Sequence, residues 1–418
     1  MRKGTLLLGP AVALFLLVAQ SAPVQGQRGG AVRLPAGDGQ ALVSSTCAAC
    51  HGLNLIANSP GYTQEEWVHV FSSMVDVTQD ESELMAGYLA QHFPEKSDAP
   101  QAVVIDGPVN VNIREWIAPT LGQRPHDPLA ARDGSIWWSG QFNSLLGRVD
   151  PSDGAIREYV LETENSGPHG LVEDADGNIW YTGINVQEIG KLDPSTGAVT
   201  EYAVTAPGVR GPHTPIFDQN GTLFFTLQSG HVGRLVPSTG EMTVAKTPTD
   251  GTYPYGIQVN SQGVPWYVDF RGNRVGSVDP VTMEITEYTL PNPDTRPRRI
   301  ALTPDDAVWY SDYTRGYLGR FDPATGETQE WASPGGPDSR PYGIATVGDV
   351  IWYSESAVKP NTLVRFDSVT EEFQTWVIPS GGGVVRNMMA TAEGNLVMAC
   401  SARNRVALVE VGGSAGTR

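Results

Sequence analysis

Residues 167–183, "GPHGLVEDADGNIWYTG", and residues 189–202, "IGKLDPSTGAVTEY", decide the fold. The first stretch holds two short apolar-rich runs on either side of Asp176-Gly177, and the second holds two more on either side of an Asp-Pro-x-Thr-Gly turn. Runs of this length, bounded by such turn residues, read as four consecutive antiparallel strands. The unit recurs along the chain. Its aromatic strand appears as "SIWWSG" at Trp137, "NIWYTG" at Trp180, "TLFFTL" at Phe224, "VPWYVD" at Trp266, "AVWYSD" at Trp309, "VIWYSE" at Trp352 and a degenerate "NLVMAC" at Val397, with spacings of 43, 44, 42, 43, 43 and 45. Seven copies at a period near 43 predict an all-β, seven-bladed propeller of four-stranded blades over 109–412. The pairs Asp133-Gly134, Asp176-Gly177 and Asn220-Gly221 favour two-residue hairpins after the first strands.

The two ends of the repeat region close a ring. The last unit stops after "VALVEV", its third strand, while "NVNIREW" at 110–116 has the pattern of the missing outer strand. The N-terminal strand is therefore expected to complete the last blade and cover its edge. Strand order then brings two sets of residues to one rim of the central channel. At the start of the first strands stand His126, His169, His213, Tyr255, Arg298, Tyr342 and Arg386; at the end of the aromatic strands stand Gly140, Gly183, Leu227, Asp269, Asp312, Glu355 and Cys400. Three histidines in consecutive Pro-His pairs, with Arg298 on the opposite arc, make this mouth the catalytic or ligand-binding candidate. A plain packing role competes with that reading, with the tyrosines filling space between blades and the carboxylates pairing with Arg298, Arg299 and Arg386.

Ahead of the repeats, "SSTCAACHGLN" carries Cys47, Cys50 and His51 in the order C-x-x-C-H. Two thiols at that spacing can add to the two haem vinyl groups, and the following His can serve as the proximal iron ligand. Thioredoxin-like and zinc readings need a βαβ context or further nearby ligands, which this stretch does not supply. Covalent haem attachment requires export. Arg2 and Lys3, the apolar run Leu6 to Val18 and the small residues ending near Gly26 read as a cleaved signal peptide over 1–26, which implies a periplasmic protein with no stable membrane anchor. Residues 36–95 are read as an all-α haem domain, with one helix before the Cys pair and capping boxes at Thr63–Glu66 and Thr78–Glu81 opening two more. Met74 is the expected sixth iron ligand, with His69 and His92 as substitutes, and Met85 is assigned to the core. The segment resembles small class I cytochrome c domains through "CAACH" and the closing "GYLAQHF". Residues 96–108, rich in Pro, Asp and Ser, read as a linker.

Composition narrows the partners. With 28 Lys and Arg against 46 Asp and Glu, the formal charge is −18, a poor match for nucleic acid or anionic membranes and a field able to steer a basic redox partner protein. Three Cys are present, two of them in the haem motif, so Cys400 stands alone and no intrachain structural disulfide is expected.

The repeats "GPHGLVEDADGNIWYTG", "IGKLDPSTGAVTEY" and "SRPYGIATVGDVIWYSE" resemble those of the streptogramin B (virginiamycin B) lyases. That resemblance implies a seven-bladed propeller that opens a cyclic depsipeptide by elimination, using a His base and Mg²⁺. The family pairs a Pro-His in one blade with a Glu-Pro-His in the next and a Glu at the end of the next aromatic strand. Here His126 with His169, or His169 with His213, matches the histidines, while Gly167 or Gly211 stands before the Pro and Gly183 or Leu227 at the strand end. Mg²⁺ prefers hard oxygen ligands, which these positions do not offer. Two functions follow: a monohaem electron-transfer protein or oxidoreductase component whose propeller binds a small ligand or partner, and, as the alternative, a lyase of the resembled type.

Overall fold

The computed structural model describes residues 33–48, 61–72, 77–94, 99–120 and 122–412, together with Leu53, Ile56 and Val75. Seven four-stranded antiparallel sheets follow one another around a ring. Blades one to six span 125–160, 168–203, 212–246, 254–289, 297–332 and 341–377. Blade seven combines 385–412 with the strand Asn110–Ile117, which pairs with Arg405–Gly412 from Asn110↔Gly412 to Ile117↔Arg405. The expected closure by the N-terminal strand is thus in place, and it covers the outer edge of Arg405–Gly412.

Each aromatic strand is buried along its length, as Ile179–Gly183 illustrates, because both faces of a blade pack against neighbouring blades. In five blades the central tryptophan stacks on an aromatic residue of its own outer strand. Trp137 pairs with Tyr159 at 5.1 Å, Trp180 with Tyr202 at 5.5 Å and Trp309 with Trp331 at 5.3 Å; Trp266 with Tyr288 and Trp352 with Trp376 repeat the arrangement. The next aromatic along the strand explains a glycine in the third strand. A Cβ on Gly190 would lie 2.0 Å from the Tyr181 ring, and one on Gly147 would lie 2.0 Å from Trp138. Only glycine lets the ring lie flat across the neighbouring strand.

Hydroxyls stitch neighbouring blades near the axis. Ser139, Thr182, Thr226, Ser311 and Ser354 donate to the carbonyls of His169, His213, Tyr255, Tyr342 and Val385 at 2.6–2.9 Å. On the opposite face, the Asp-Gly and Asn-Gly turns differ from the expected two-residue hairpin. Gly134 donates to Ala131, Ala131 donates to Ser135, and only Gly134 of the Asp-Gly pair has positive φ. The loop is a three-residue connection, a type I turn closed by a left-handed glycine, and Gly177 and Gly221 repeat it.

The helical unit holds α1 (Gln40–Cys47), α2 (Gln64–Ser72) and α3 (Gln79–His92). Both expected capping boxes form. Glu66 accepts from the Thr63 N–H at 2.8 Å, and Thr78 and Glu81 satisfy each other's backbone N–H groups. Trp67, Phe71, Met85, Tyr88 and Leu89 form its core with Val43 and Leu34. None of the described helices is long and apolar enough to cross a membrane.

Two contacts set where the helices meet the propeller. Arg403, in the loop after the last aromatic strand, donates to the Gly61 carbonyl at 3.2 Å and lies 5.2 Å from the Tyr62 ring. Farther along, Lys359 donates to the Pro100 carbonyl, and residues 103–109 run down the outer strand of blade six through Thr375 and Gln374. Both loops lie on the face where first strands begin and aromatic strands end. The described part of the stretch read as a linker is therefore laid along a blade.

Candidate functional site

Every first strand carries a bulge at its entry. Pro168 pairs with Gly183 but Leu171 with Tyr181, so one extra residue is fitted into the first strand, and the same shift recurs in all seven blades. A bulge re-aims consecutive side chains that a regular strand would send to opposite faces. Here it supplies the channel with two layers of residues.

The outer layer is the expected ring. His126, His169, His213 and Tyr255 follow one another with ring centroids 3.8–3.9 Å apart. The Tyr255 and Tyr342 hydroxyls meet at 2.6 Å, and the Arg298 guanidinium lies 3.8 Å from the Tyr342 ring and 5.1 Å from Tyr255. Phe270 and Tyr313, at 4.5 and 4.2 Å, complete an aromatic cage around Arg298. The fold thus brings together all four propeller residues singled out in the sequence, His126, His169, His213 and Arg298.

The inner layer was not legible beforehand. Arg299 crosses the channel from blade five and grips Asp127 of blade one through two hydrogen bonds of 2.6 and 3.2 Å. It also donates to Thr214 Oγ1 and to the Arg386 carbonyl, while Asn387 donates to Asp127 at 3.1 Å. Both charged side chains are 2% exposed. Gly170, Gly256 and Gly343 hold the equivalent position in the intervening blades, where a Cβ would meet the neighbouring first strand at 2.2–3.0 Å. His126 Nδ1 sits 2.8 Å from Asp127 Oδ1, which ties the two layers together.

The mouth is electrostatically lopsided. Burial first, and then the charges of Arg386, Arg299, Arg124 and Arg298, hold His126 well below its ordinary range. His169 and His213 are lowered in the same direction, by burial first and then by the adjacent His, so the arc is three neutral imidazoles. Burial would raise the Tyr342 phenol, but Arg298, Arg386 and Arg299 together outweigh it and pull it below the ordinary range. Arg124 is pushed down to about 10, by burial first and then by its like-charged neighbour Arg386.

These facts decide what the mouth can hold. His126, Asp127 and His169 bring ligand atoms within 4.8 Å of one another, yet Asp127 is committed to Arg299 and the surrounding charge is positive. Mg²⁺ does not fit this set, since its one carboxylate is engaged and the remaining donors are imidazoles and guanidiniums. The second expected set does not face the channel as a group. Asp269 binds the Tyr253 N–H and Arg274, Asp312 binds the Arg296 N–H and Arg315, and Glu355 binds Ser333 and Thr362. They tie down the connections that enter their blades and the loops beside them instead of pairing with Arg298, Arg299 and Arg386. Cys400 is buried, and burial first, then Glu115, raises its thiol.

Of the expected haem ligands, Cys47 is the last residue of α1 and packs against the helical core, whereas Cys50, His51 and Met74 lie outside the described residues. Trp67 is buried in that core with an indole N–H that has no partner among the described residues.

The sequence profile of the virginiamycin B lyase family matches residues 108–332. Among solved structures, virginiamycin B lyase from Staphylococcus aureus superposes with a TM-score of 0.65 at 23% identity, covering 72% of this chain and 99% of that one. A streptogramin B lyase structure gives 0.66 at 24% identity over 72% and 98% of the two chains. A catalytically inactive variant of the Staphylococcus aureus enzyme with quinupristin gives 0.64 at 23% identity over 72% and 99%. At these identities the likeness shows the fold. No curated protein matches the chain.

Proposed function

This chain belongs to the virginiamycin B lyase family, and on that premise we propose that its propeller mouth is a small-molecule site served by a covalent haem on the helical unit. The protein is then a periplasmic monohaem c-type cytochrome, acting in electron transfer or as the ligand-binding part of an oxidoreductase with a separate redox partner. The observation that carries this reading is positional. The Gly61–Arg403 and Pro100–Lys359 contacts both lie on the face that holds the His, Tyr and Arg ring. Haem would be held by Cys47 and Cys50, with His51 and Met74 as the iron ligands, and it would supply one-electron exchange. The indole N–H of Trp67 in the same core has no partner among the described residues, which is consistent with a buried acceptor other than these.

The family's elimination chemistry is the second reading, and the mouth argues against it. A general base works best with a pKa near the operating pH, and burial holds all three ring histidines well below their ordinary range. The one carboxylate beside them is engaged by Arg299.

The test is an oxidised-versus-reduced visible spectrum of the full chain expressed with a haem-maturation system, followed by redox titration with periplasmic donors. A c-type spectrum is expected, with covalent retention weakened in Cys47→Ala and Cys50→Ala and ligation altered in His51→Ala. Spectra unchanged by His51→Ala would refute the assignment. A donor that reduces the haem through the mouth would mark an oxidoreductase; haem indifferent to every small molecule would mark an electron carrier.

A further inference from the structure

We propose that the arginine arc of the mouth binds a small carboxylate with a planar aromatic body. The inference deepens the reading of the mouth as a ligand site and does not depend on the haem. Its first support is a charge count made from geometry. Arg298 lies over the Tyr255 and Tyr342 rings, Arg386 holds the same ring position in blade seven and Arg124 directly precedes the first strand of blade one, while among the described residues the carboxylate of the channel, Asp127, is already gripped by Arg299. Among the described residues three guanidiniums have no carboxylate partner, in a chain whose net charge is −18. Such a local reversal of sign is costly unless something negative completes it.

The second support is unmet hydrogen bonding. The Nε–H groups of Arg298 and Arg386 are buried and have no partner. Guanidinium N–H pairs match a carboxylate in two-point fashion, so an incoming carboxylate satisfies the donors and the charge together. The same field opposes a cation, which is why the adjacent imidazoles do not make this a metal site. The third support is shape. Phe270 and Tyr313, half-buried beside Arg298, stand edge to face at 5.8 Å and offer ring surface next to the charged group. A flat aromatic body can stack there while its carboxylate reaches Arg386.

The probe is cinnamate, titrated calorimetrically into the full-length protein beside its neutral isostere cinnamamide and beside inorganic phosphate. Cinnamate is expected to bind at least tenfold more tightly than cinnamamide, to weaken with added salt, and to lose at least tenfold in Arg386→Gln and in Arg124→Gln. Equal binding of the amide, phosphate binding more tightly than cinnamate, unaltered affinity in both variants, or no saturable heat from cinnamate overturns the proposal. Cinnamate binding in a protein that carries no haem sustains this inference while sinking the redox reading. A c-type spectrum with no cinnamate binding does the reverse.

Discussion

The propeller and the helical unit in front of it complete their cores in different ways. In the propeller, each blade lends its neighbour a wall. Trp180 stacks on Tyr202 of its own blade and packs edge-on against Phe217 of the next, and the Thr182 hydroxyl bonds across the same seam to the His213 carbonyl. Among its described residues the helical unit has three short helices around one small cluster, with the indole N–H of Trp67 buried there without a described partner. A repeat can supply all of its own interior, whereas a unit this small usually needs a further apolar body or a staple. The largest effect expected from this contrast is in Cys47→Ala/Cys50→Ala. Hydrogen exchange should show protection in α1, α2 and α3 falling to that of exposed loops, with the propeller strands unchanged. If the helices stay protected without the thiols, the helical core is self-sufficient and the contrast fails.

Next in size is a change within the propeller. Asp127 and Arg299 are buried together, so Asp127→Ala leaves a guanidinium without its partner in the channel. Breaking such a pair from one side typically costs about 3–5 kcal/mol, whereas replacing both partners by apolar groups costs far less. Denaturant midpoints should therefore fall strongly in Asp127→Ala and recover much of the loss in Asp127→Ala/Arg299→Met. A single variant no less stable than the parent would mean that the inner layer is not what holds the first strands to the axis.

How much of this could be read from the sequence follows from which residues lack freedom. The aromatic strand has no solvent face in any blade, so its composition is constrained and its period stands out. The outer ring was legible too, since Pro precedes the ring residue in six blades, from Pro125-His126 to Pro341-Tyr342. The inner layer was hidden for a physical reason. In a regular strand, successive side chains face opposite sides, so Asp127 next to a channel-facing His126 is assigned to the blade face. The bulge cancels that alternation, and its partner Arg299 lies 172 residues away. The small residues at Gly170, Gly256 and Gly343 were the available clue, because they clear space for neighbouring first strands. The strand-end acids were misplaced for the converse reason: position on a rim says nothing about which loop N–H groups a carboxylate meets first.

The smallest expected effect tests whether the propeller, for all its self-sufficiency, also carries a local flaw. Glu188 sits beside Gly183, where a Cβ would crowd its side chain, and one of its oxygens is buried without a partner. Burial first, and then the neighbouring charge of Glu201, push it from 4.5 up to about 7. A carboxyl raised in the native state keeps its proton while the unfolded chain has lost it. Between pH 4.5 and about 7 the native state therefore binds more protons, and stability must fall as pH rises through that window. Below the window both states are protonated and the contribution is intact; above it the loss is complete. Carboxylates such as Asp193, held down at about 2 first by the Ser195 hydroxyl, act only at lower pH and with the opposite sign. Glu188→Gln keeps a permanent donor toward Glu201 and has no proton to lose. The difference in denaturation free energy between parent and variant, taken at pH 4.5, 6 and 7.5, should shift steadily in favour of the variant. A difference independent of pH would show that burial in blade two does not raise the Glu188 carboxyl above its unfolded value.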